Sequence, residues 1–238
     1  NRFINLNMKD KKKHKIIGII QARMGSKRLP GKTLKPILGT PMLEHLLNNL
    51  NGSKYVDKFV VATSELEKDN AIEKLCNRLK VDCFRGNELD VLSRFKNISD
   101  LYKANLLVRL TGDNPFVDRY LVDYMLKEYL SSYVGYDYLH NIENCNFPYG
   151  LYVEVFTAKA LSIASKSNNF KDKEHVTWYI RRNKNKFKTV AIKSKYKFRH
   201  SRLTVDNEED FIAAENIMRS LELLNKRFSF HDLIISQK

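Results

Sequence analysis

Residues 16–20, Ile-Ile-Gly-Ile-Ile, run directly into Gln-Ala-Arg-Met-Gly-Ser-Lys-Arg-Leu-Pro-Gly-Lys at 21–32. This junction limits the fold more than any other stretch. A short isoleucine-rich run followed by Gly-rich turns reads as a buried strand delivering a loop. The loop carries Gly25 and Gly31 among the cations Arg23, Lys27, Arg28 and Lys32. Backbone N–H groups and cations gathered in one small volume suit a polyphosphate. The ATPase P-loop is excluded by spacing. It places four residues before its Gly-Lys-Ser/Thr, whereas five separate Gly25 from Gly31-Lys32-Thr33, and Pro30 removes an N–H.

The pattern after this loop is repetitive enough to predict a topology. Apolar residues at 42, 43, 46, 47 and 50 have helical spacing over 41–51, and Asn51-Gly52 is a stop signal. Strands are expected at 58–63, 81–85 and 105–110, with helices at 65–78, 89–103 and 119–130. Strands alternating with helices imply an α/β fold, a mostly parallel sheet with helices on both faces. Ligands collect at the carboxyl edge of such sheets. The loop at 21–32, Thr63-Ser64, 85–90 and 111–115 all fall on that edge.

The second half is less regular. Strands are expected at 136–140, 151–156, 187–193 and 203–205, with a loop or hairpin arm at 141–150. Helices are expected at 158–166, 173–182 and 208–224, the last capped by Asn207, and 230–235 closes the chain. Without an internal repeat or low-complexity linker, the reading is a flexible basic tail over 1–14 and a single domain over 15–238.

Composition excludes several classes. No run of about 18 apolar residues is present, so no membrane-spanning helix is expected. The lysine-rich start has no apolar core of a secretory signal. Cys76, Cys83 and Cys145 are odd in number and lack CxxC spacing, which argues against a disulfide framework or zinc site and for a reducing cytoplasm. The net charge is +15. Because the lysines are spread along the chain, a solvated basic surface is the better reading, and no nucleic-acid partner is expected.

Asp113 follows Leu-Val-Arg-Leu-Thr-Gly, and Asp206 follows Arg-Leu-Thr-Val. A carboxylate at a strand tip beside a cationic loop suits Mg²⁺, which takes one or two carboxylates and fills its octahedron with phosphates and waters. Alternatively, Asp113 is a turn residue in Gly-Asp-Asn-Pro and Asp206 a helix N-cap. Beside the basic loop the metal reading is the better one. Arg23, Arg28 and Lys32 are the phosphate candidates, since guanidinium grips phosphate in a bidentate manner and lysine acts as a point charge. Gln21 ends the first strand within reach of a base or ribose. His175 and His200 are ionisable, and such lone histidines are more often structural or exposed than catalytic.

The segments QARMGSKRLPGKTL, VVATS, CFRGNELDVLSRF, VRLTGDNPFVD, GLYVEVF, EHVTWYI and SRLTVDNEED resemble the cytidylyltransferase family of spore-coat polysaccharide biosynthesis proteins. That family is similar to the CMP-Kdo synthetases and acylneuraminate cytidylyltransferases. The match runs from about residue 15 to about 221, in the same order. It implies a three-layer αβα nucleotide-diphospho-sugar transferase fold. The implied reaction is attack of an acceptor oxygen on the α-phosphorus of CTP, with expulsion of pyrophosphate. By motif, Arg23, Gly25, Ser26, Arg28 and Lys32 would hold the triphosphate. Gln21, Ala22, Thr63 and Asp90 would lie near base and ribose, and Asp113 and Asp206 would bind Mg²⁺. Tyr149, Tyr152, Glu154 and His175 would meet the acceptor, an acidic sugar or sugar phosphate. The resemblance further implies a homodimer contact through 141–156. One departure concerns the acceptor side: Tyr149 and Tyr152 stand where the family pattern leads one to expect acidic residues.

Two competing readings remain. A metal-dependent glycosyltransferase could share the fold, but no clear Asp-x-Asp is present and the loop suits a free triphosphate better. A basic nucleic-acid-binding protein would need a cationic stripe with interleaved aromatics, for which 181–184 and 193–200 are the best candidates.

Overall fold

A computed structural model describes residues 14–132, 135–142, 144–194, 198, 202–224 and 228–230. Most of the expected tail, the closing segment at 231–235, His200 and part of the run at 193–200 fall outside the described residues. Strand β1 (Ile16–Gln21) comes first. Next come β2 (Pro36–Ile37) and β3 (Thr40–Pro41), then α1 (Met42–Leu50), β4 (Lys58–Ser64), α2 (Asn70–Leu79) and β5 (Asp82–Gly86). They are followed by α3 (Val91–Leu101), β6 (Leu106–Thr111), α4 (Arg119–Leu130), β7 (Tyr138–His140) and β8 (Glu154–Thr157). The chain ends through α5 (Ala158–Ala164), α6 (Phe170–Glu174), α7 (Trp178–Arg182), β9 (Thr189–Ala191) and α8 (Glu208–Leu223).

Seven strands form one sheet in the order β5-β4-β1-β6-β8-β7-β9. β1 pairs in parallel with both β4 and β6, and β8 alone runs against its neighbours. The mostly parallel α/β sheet expected from the alternation is what the chain forms. Ile16, Ile17, Ile19 and Ile20 are fully buried, each such side chain contributing roughly 1.5–3 kcal/mol. Ile16 and Ile20 face a core shared with α1, α2, α4 and α8, while Ile17 and Ile19 face one shared with α3, α5 and α7. At Gly18 a Cβ would sit 2.3 Å from the Phe59 ring, so that ring occupies the place a side chain would need.

The irregular half corrects several expectations. The helix expected over 173–182 is two short helices, broken between α6 and α7. Val176 and Thr177 are both buried there, and Thr177 Oγ1 donates to Glu154 Oε1 at 2.9 Å, which pulls the backbone off a helical path. The strand expected at 151–156 begins only at Glu154. Before it, buried Asn141 stands in for a ladder partner: its Nδ2 donates to Leu151 O and its Oδ1 accepts from Val153 N–H, both at 2.7 Å. At 203–205 there is no strand; a single bridge joins Tyr149 to Arg202. Leu203 N–H donates to Tyr149 O and Val205 N–H to Asp113 O. The β2–β3 hairpin was not expected. Its two-residue turn needs positive φ at Leu38 and Gly39, and only Gly39 signals it.

Candidate active site

The carboxyl ends of β1, β4, β5 and β6 lie along one edge, so the four polar loops meet there. The first loop is closed upon itself. Ser26 and Gly31 N–H groups both donate to Met24 O, Lys32 N–H donates to Leu29 O, and Ser26 Oγ accepts from Leu29 N–H. Many of its amides are thereby committed, and its cationic side chains carry the anion-binding character. Gly31, at φ 71°, precedes a 3₁₀ turn over Lys32–Leu34 and turns Lys32 inward.

One buried carboxylate that sequence reasoning missed holds this loop in place. Asp69 Oδ1 accepts from Met24 N–H at 2.7 Å, and its Oδ2 accepts from the Ser64 N–H and hydroxyl at the tip of β4. Lys68-Asp69-Asn70 reads in sequence as an ordinary polar helix start, so nothing marked it. Thr33 Oγ1 donates to Arg23 O at 2.8 Å. Above Gly25 the Lys68–Glu88 ion pair spans 2.8 Å, and a Cβ on Gly25 would approach Lys68 Nζ to 3.0 Å.

Around base and ribose, the expected residues take varied positions. The Ala22 N–H extends the ladder to Ala62 O. Thr63 is buried, and its Oγ1 has no hydrogen-bond partner among the described residues. Asp90 caps α3 by accepting from Ser93 N–H at 2.8 Å, and its Oδ2 lies 3.7 Å from Lys173 Nζ. Arg94 was also missed, although Val91, Arg94, Phe95 and Ile98 share one helical face, an apolar pattern with a cation in it. It is buried and donates weakly to Ala62 O at 3.4 Å. Burial, then the nearby Arg23 charge, push its guanidinium below its ordinary range.

Asp113 and Asp206 meet across a sequence separation of 93 residues, with Lys32 between them. Lys32 Nζ donates to Val205 O at 2.7 Å, Asp206 Oδ1 at 3.0 Å and Asp113 Oδ2 at 3.2 Å. Arg28 Nη2 also reaches Asp206 Oδ1 at 3.0 Å. Asp206 is not the cap of α8; Asn207 is, accepting from Asp210 N–H at 2.8 Å. Among the described residues no three His, Cys, Asp or Glu side chains gather as a metal group. Two carboxylates fit Mg²⁺, which takes its remaining ligands from phosphate and water.

A cavity of about 220 Å³ has Arg109, Thr111, Tyr149, Tyr152, Glu154 and Arg181 in its wall, and Arg202, paired with Asp206 and lying over the Tyr149 ring, links it to this cluster. The structure thus brings together three of the residues expected near the acceptor. His175 is not among the cavity's lining residues; its side chain is 61% exposed. Glu154 is committed within the wall. Its carboxylate takes Arg109 Nη1 at 2.6 Å, the Tyr138 hydroxyl at 2.8 Å and the Thr177 hydroxyl at 2.9 Å. Burial would raise its pKa; the Arg109 charge and these hydrogen bonds outweigh that and hold it below its ordinary value. Arg109 Nη2 also donates to Gln21 Oε1 at 3.0 Å, so Gln21 ties the cavity wall to the loop. Tyr149 and Tyr152 meet edge to face at 5.2 Å, and Arg202 lies 4.9 Å from the Tyr149 ring centroid. Arg109 and Arg181 are further residues that sequence reasoning did not single out for this site.

A mostly parallel αβα sandwich with a cationic strand-tip loop and paired aspartates on its carboxyl edge defines a nucleotidyltransferase class of fold. Comparison with known proteins narrows this. A family model described as cytidylyltransferase matches residues 17–230. An uncharacterised protein of Methanocaldococcus jannaschii is 43% identical, the match covering 89% of this chain and 86% of that protein. The spore coat polysaccharide biosynthesis protein SpsF of Bacillus subtilis is 37% identical over 82% of this chain and 83% of its own length. The solved structure of a cytidylyltransferase from Leptospira borgpetersenii superposes with a TM-score of 0.86 at 32% identity, covering 94% and 93% of the two chains. The chain belongs to the cytidylyltransferase family. No helix among the described residues is long and apolar enough to cross a membrane.

Proposed function

We propose that this protein transfers the CMP group of CTP to an acidic sugar, releasing pyrophosphate, to supply an activated sugar for surface polysaccharide synthesis. The observation that carries this reading is the link through Arg202 from Asp206 of the Lys32–Asp113–Asp206 cluster to Tyr149, in the wall of a cavity that also holds Arg109 and Arg181. Arg109 and Arg181 both stand in the cavity wall, a lining that suits an anionic acceptor such as a sugar acid or sugar phosphate. Tyr149 and Tyr152 offer it aromatic faces.

In this reading Arg23 and Arg28 grip the triphosphate, and Asp113 and Asp206 hold a Mg²⁺ ion. Bound there, Mg²⁺ would supply charge neutralisation for the phosphates and polarise a phosphoryl oxygen. The chain's own contribution is positioning and electrostatics, which dominate such transfers. Arg28, 67% exposed at the side chain, can follow charge as it builds on the leaving pyrophosphate. Gln21, through Arg109, sets the distance between the nucleotide loop and the acceptor. Two copies would pair through the 141–156 arm, a state that sedimentation reads directly.

Pyrophosphate release tests the reading, with each of the four nucleoside triphosphates against 2-keto sugar acids, sugar phosphates and neutral sugars. Release confined to CTP and an anionic acceptor is expected. Release with neutral sugars, or equally with all four nucleotides, overturns it.

A further inference from the structure

Lys32 makes as many hydrogen bonds as an ammonium can. Such a group has three donors and no acceptor, and Val205 O, Asp206 Oδ1 and Asp113 Oδ2 take one each at 2.7, 3.0 and 3.2 Å. Its side chain is only 11% exposed. In this arrangement Lys32 has no proton left for a phosphate, although its place in the loop is that of a phosphate ligand.

The charge around it is also closed. Asp206 Oδ1 meets Arg28 as well as Lys32, and its Oδ2 meets Arg202 Nη2 at 3.3 Å. Arg202 in turn grips Asp210 through Nε at 2.6 Å and Nη2 at 2.8 Å. Three carboxylates, Asp113, Asp206 and Asp210, face three cations, Lys32, Arg28 and Arg202. A divalent cation entering alone would bring two positive charges to a balanced cluster and find the carboxylates of Asp113 and Asp206 both occupied.

We propose that Lys32 is a built-in placeholder for the divalent cation. Its ammonium keeps Asp113 and Asp206 together in the nucleotide-free protein and yields them to a metal only when a polyphosphate arrives to receive the lysine. The inference rests on the nucleotidyl-transfer reading of this site and concerns the order in which the site fills. In the exchange the cation gains two carboxylates, and the ammonium trades two carboxylates and a carbonyl for phosphate oxygens. The incoming phosphates offset the two charges the metal adds.

The local structure allows the exchange without refolding. Lys32 rises from a 3₁₀ turn closed by Leu34 N–H to Gly31 O at 2.9 Å and Lys35 N–H to Lys32 O at 3.1 Å. Its base is therefore fixed, and only its flexible four-carbon stem need turn. The backbones of Asp113 and Asp206 are held without Lys32. Val205 N–H donates to Asp113 O at 2.9 Å, and Asp206 N–H donates to Asp210 Oδ2 at 2.9 Å. With their main chains anchored, both aspartates stay in place when the lysine leaves.

Two consequences follow. Metal and nucleotide each strengthen the binding of the other, since linkage between sites is reciprocal. Replacing Lys32 by a neutral side chain of similar length leaves two carboxylates side by side without their shared cation, and a divalent metal then binds without nucleotide.

Manganese binding, read from the electron paramagnetic resonance signal of free Mn²⁺, tests both without turnover. In wild-type protein the Mn²⁺ affinity should rise about tenfold or more when α,β-methylene-CTP is added, within the usual span of coupled sites. In Lys32→Met the nucleotide-free Mn²⁺ affinity should rise by a similar factor, and Lys32→Met/Asp206→Asn should abolish that gain. Lys32→Gln serves in the same way if the methionine variant does not fold, with circular dichroism as the check on folding. Unchanged nucleotide-free affinity in a folded Lys32 variant overturns the proposal, as does wild-type affinity that is the same with and without the analogue while the analogue binds. A protein that binds no CTP analogue at all refutes the nucleotidyl-transfer reading. The nucleotide-free arm still decides the role of Lys32 in that case.

Discussion

The nucleotide loop and the cavity wall are built on opposite plans. The loop at 22–32 hangs from β1 and is fastened through main-chain groups, with Met24 N–H and the β4 tip both bound by Asp69. The wall around 138–181 is gathered by side chains, with Arg109, Tyr138 and Thr177 all bound by Glu154. Each region turns on one buried carboxylate. In the first, the carboxylate trims a geometry that parallel strands already impose. In the second, where β8 runs against its neighbours and the helix breaks at 175–177, the carboxylate is itself the organiser.

The sharpest way to break this contrast is Glu154→Gln. The substitution leaves Arg109 beneath the wall without its counter-charge and offers an amide where three donors converge. Breaking a buried pair on one side costs about 3–5 kcal/mol, and part-exposure of Arg109 sets the expectation near the lower end. A urea unfolding midpoint measures it. A loss under about 1 kcal/mol would mean that the wall does not depend on Glu154.

Asp69→Ala should have a smaller effect on stability and a more local one. It leaves Met24 N–H, Ser64 N–H and the Ser64 hydroxyl without their acceptor, at about 1–3 kcal/mol for each group that stays dry. Met24 N–H is part-exposed and can take a water, so the two buried Ser64 groups set the expectation, a total of about 2 kcal/mol. CTP affinity, read by calorimetry, should fall about tenfold as the loop loosens, with acceptor KM little changed. A larger change in acceptor KM than in CTP affinity would erase the distinction between the two regions.

The smallest effect belongs to Asp118, which joins the start of α4 to Phe230. It caps α4 by accepting from Leu121 N–H at 2.9 Å and accepts from Phe230 N–H at 2.8 Å. Burial raises its carboxyl from 3.8 to about 6, against the pull of these amides. The folded chain therefore binds more protons than the unfolded chain between those values, and this group's contribution to stability declines as pH rises through them. Compared with Asp118→Asn, wild type should lose on the order of 1–2 kcal/mol between about pH 4 and pH 6 and no more above that. Melting temperatures of the two proteins across that range check it; parallel curves would refute the assignment.

How much of this could be read from sequence differs by region in the same way. The sheet, its parallel sense and the edge carrying Arg23, Arg28, Lys32 and Asp113 follow from hydrophobic period and from where loops must fall in a βα repeat. The second half defeats the same reasoning because its order is not periodic. Asn141 replaces strand pairing for 151–153, and Val176 and Thr177 are drawn inward by their partners, not by helix period. Asp69 carries no local signal, since an aspartate in Lys-Asp-Asn looks like any polar helix start; Glu154 is placed near the acceptor only by the family motif, and Arg181 reads only as part of a basic run. Gly150 is a partial exception. Its φ of 103° and the 2.4 Å approach of Thr204 N to a built Cβ explain a glycine that sequence alone reads only as a turn.

The sequence by itself determined the βα repeat, the cationic loop after β1 and the placing of Asp113 just past β6, because local periodicity and turn chemistry act over a few residues. Only the tertiary structure decided that Lys32 is held between Asp113 and Asp206, contacts separated by 81 and 174 residues. It also decided that Glu154 faces inward to bind Arg109 instead of lying free in the cavity. The reason is physical: a buried charge goes wherever the fold brings an opposite charge and enough hydrogen-bond partners to offset its desolvation, and those partners come from distant segments that no window of sequence contains.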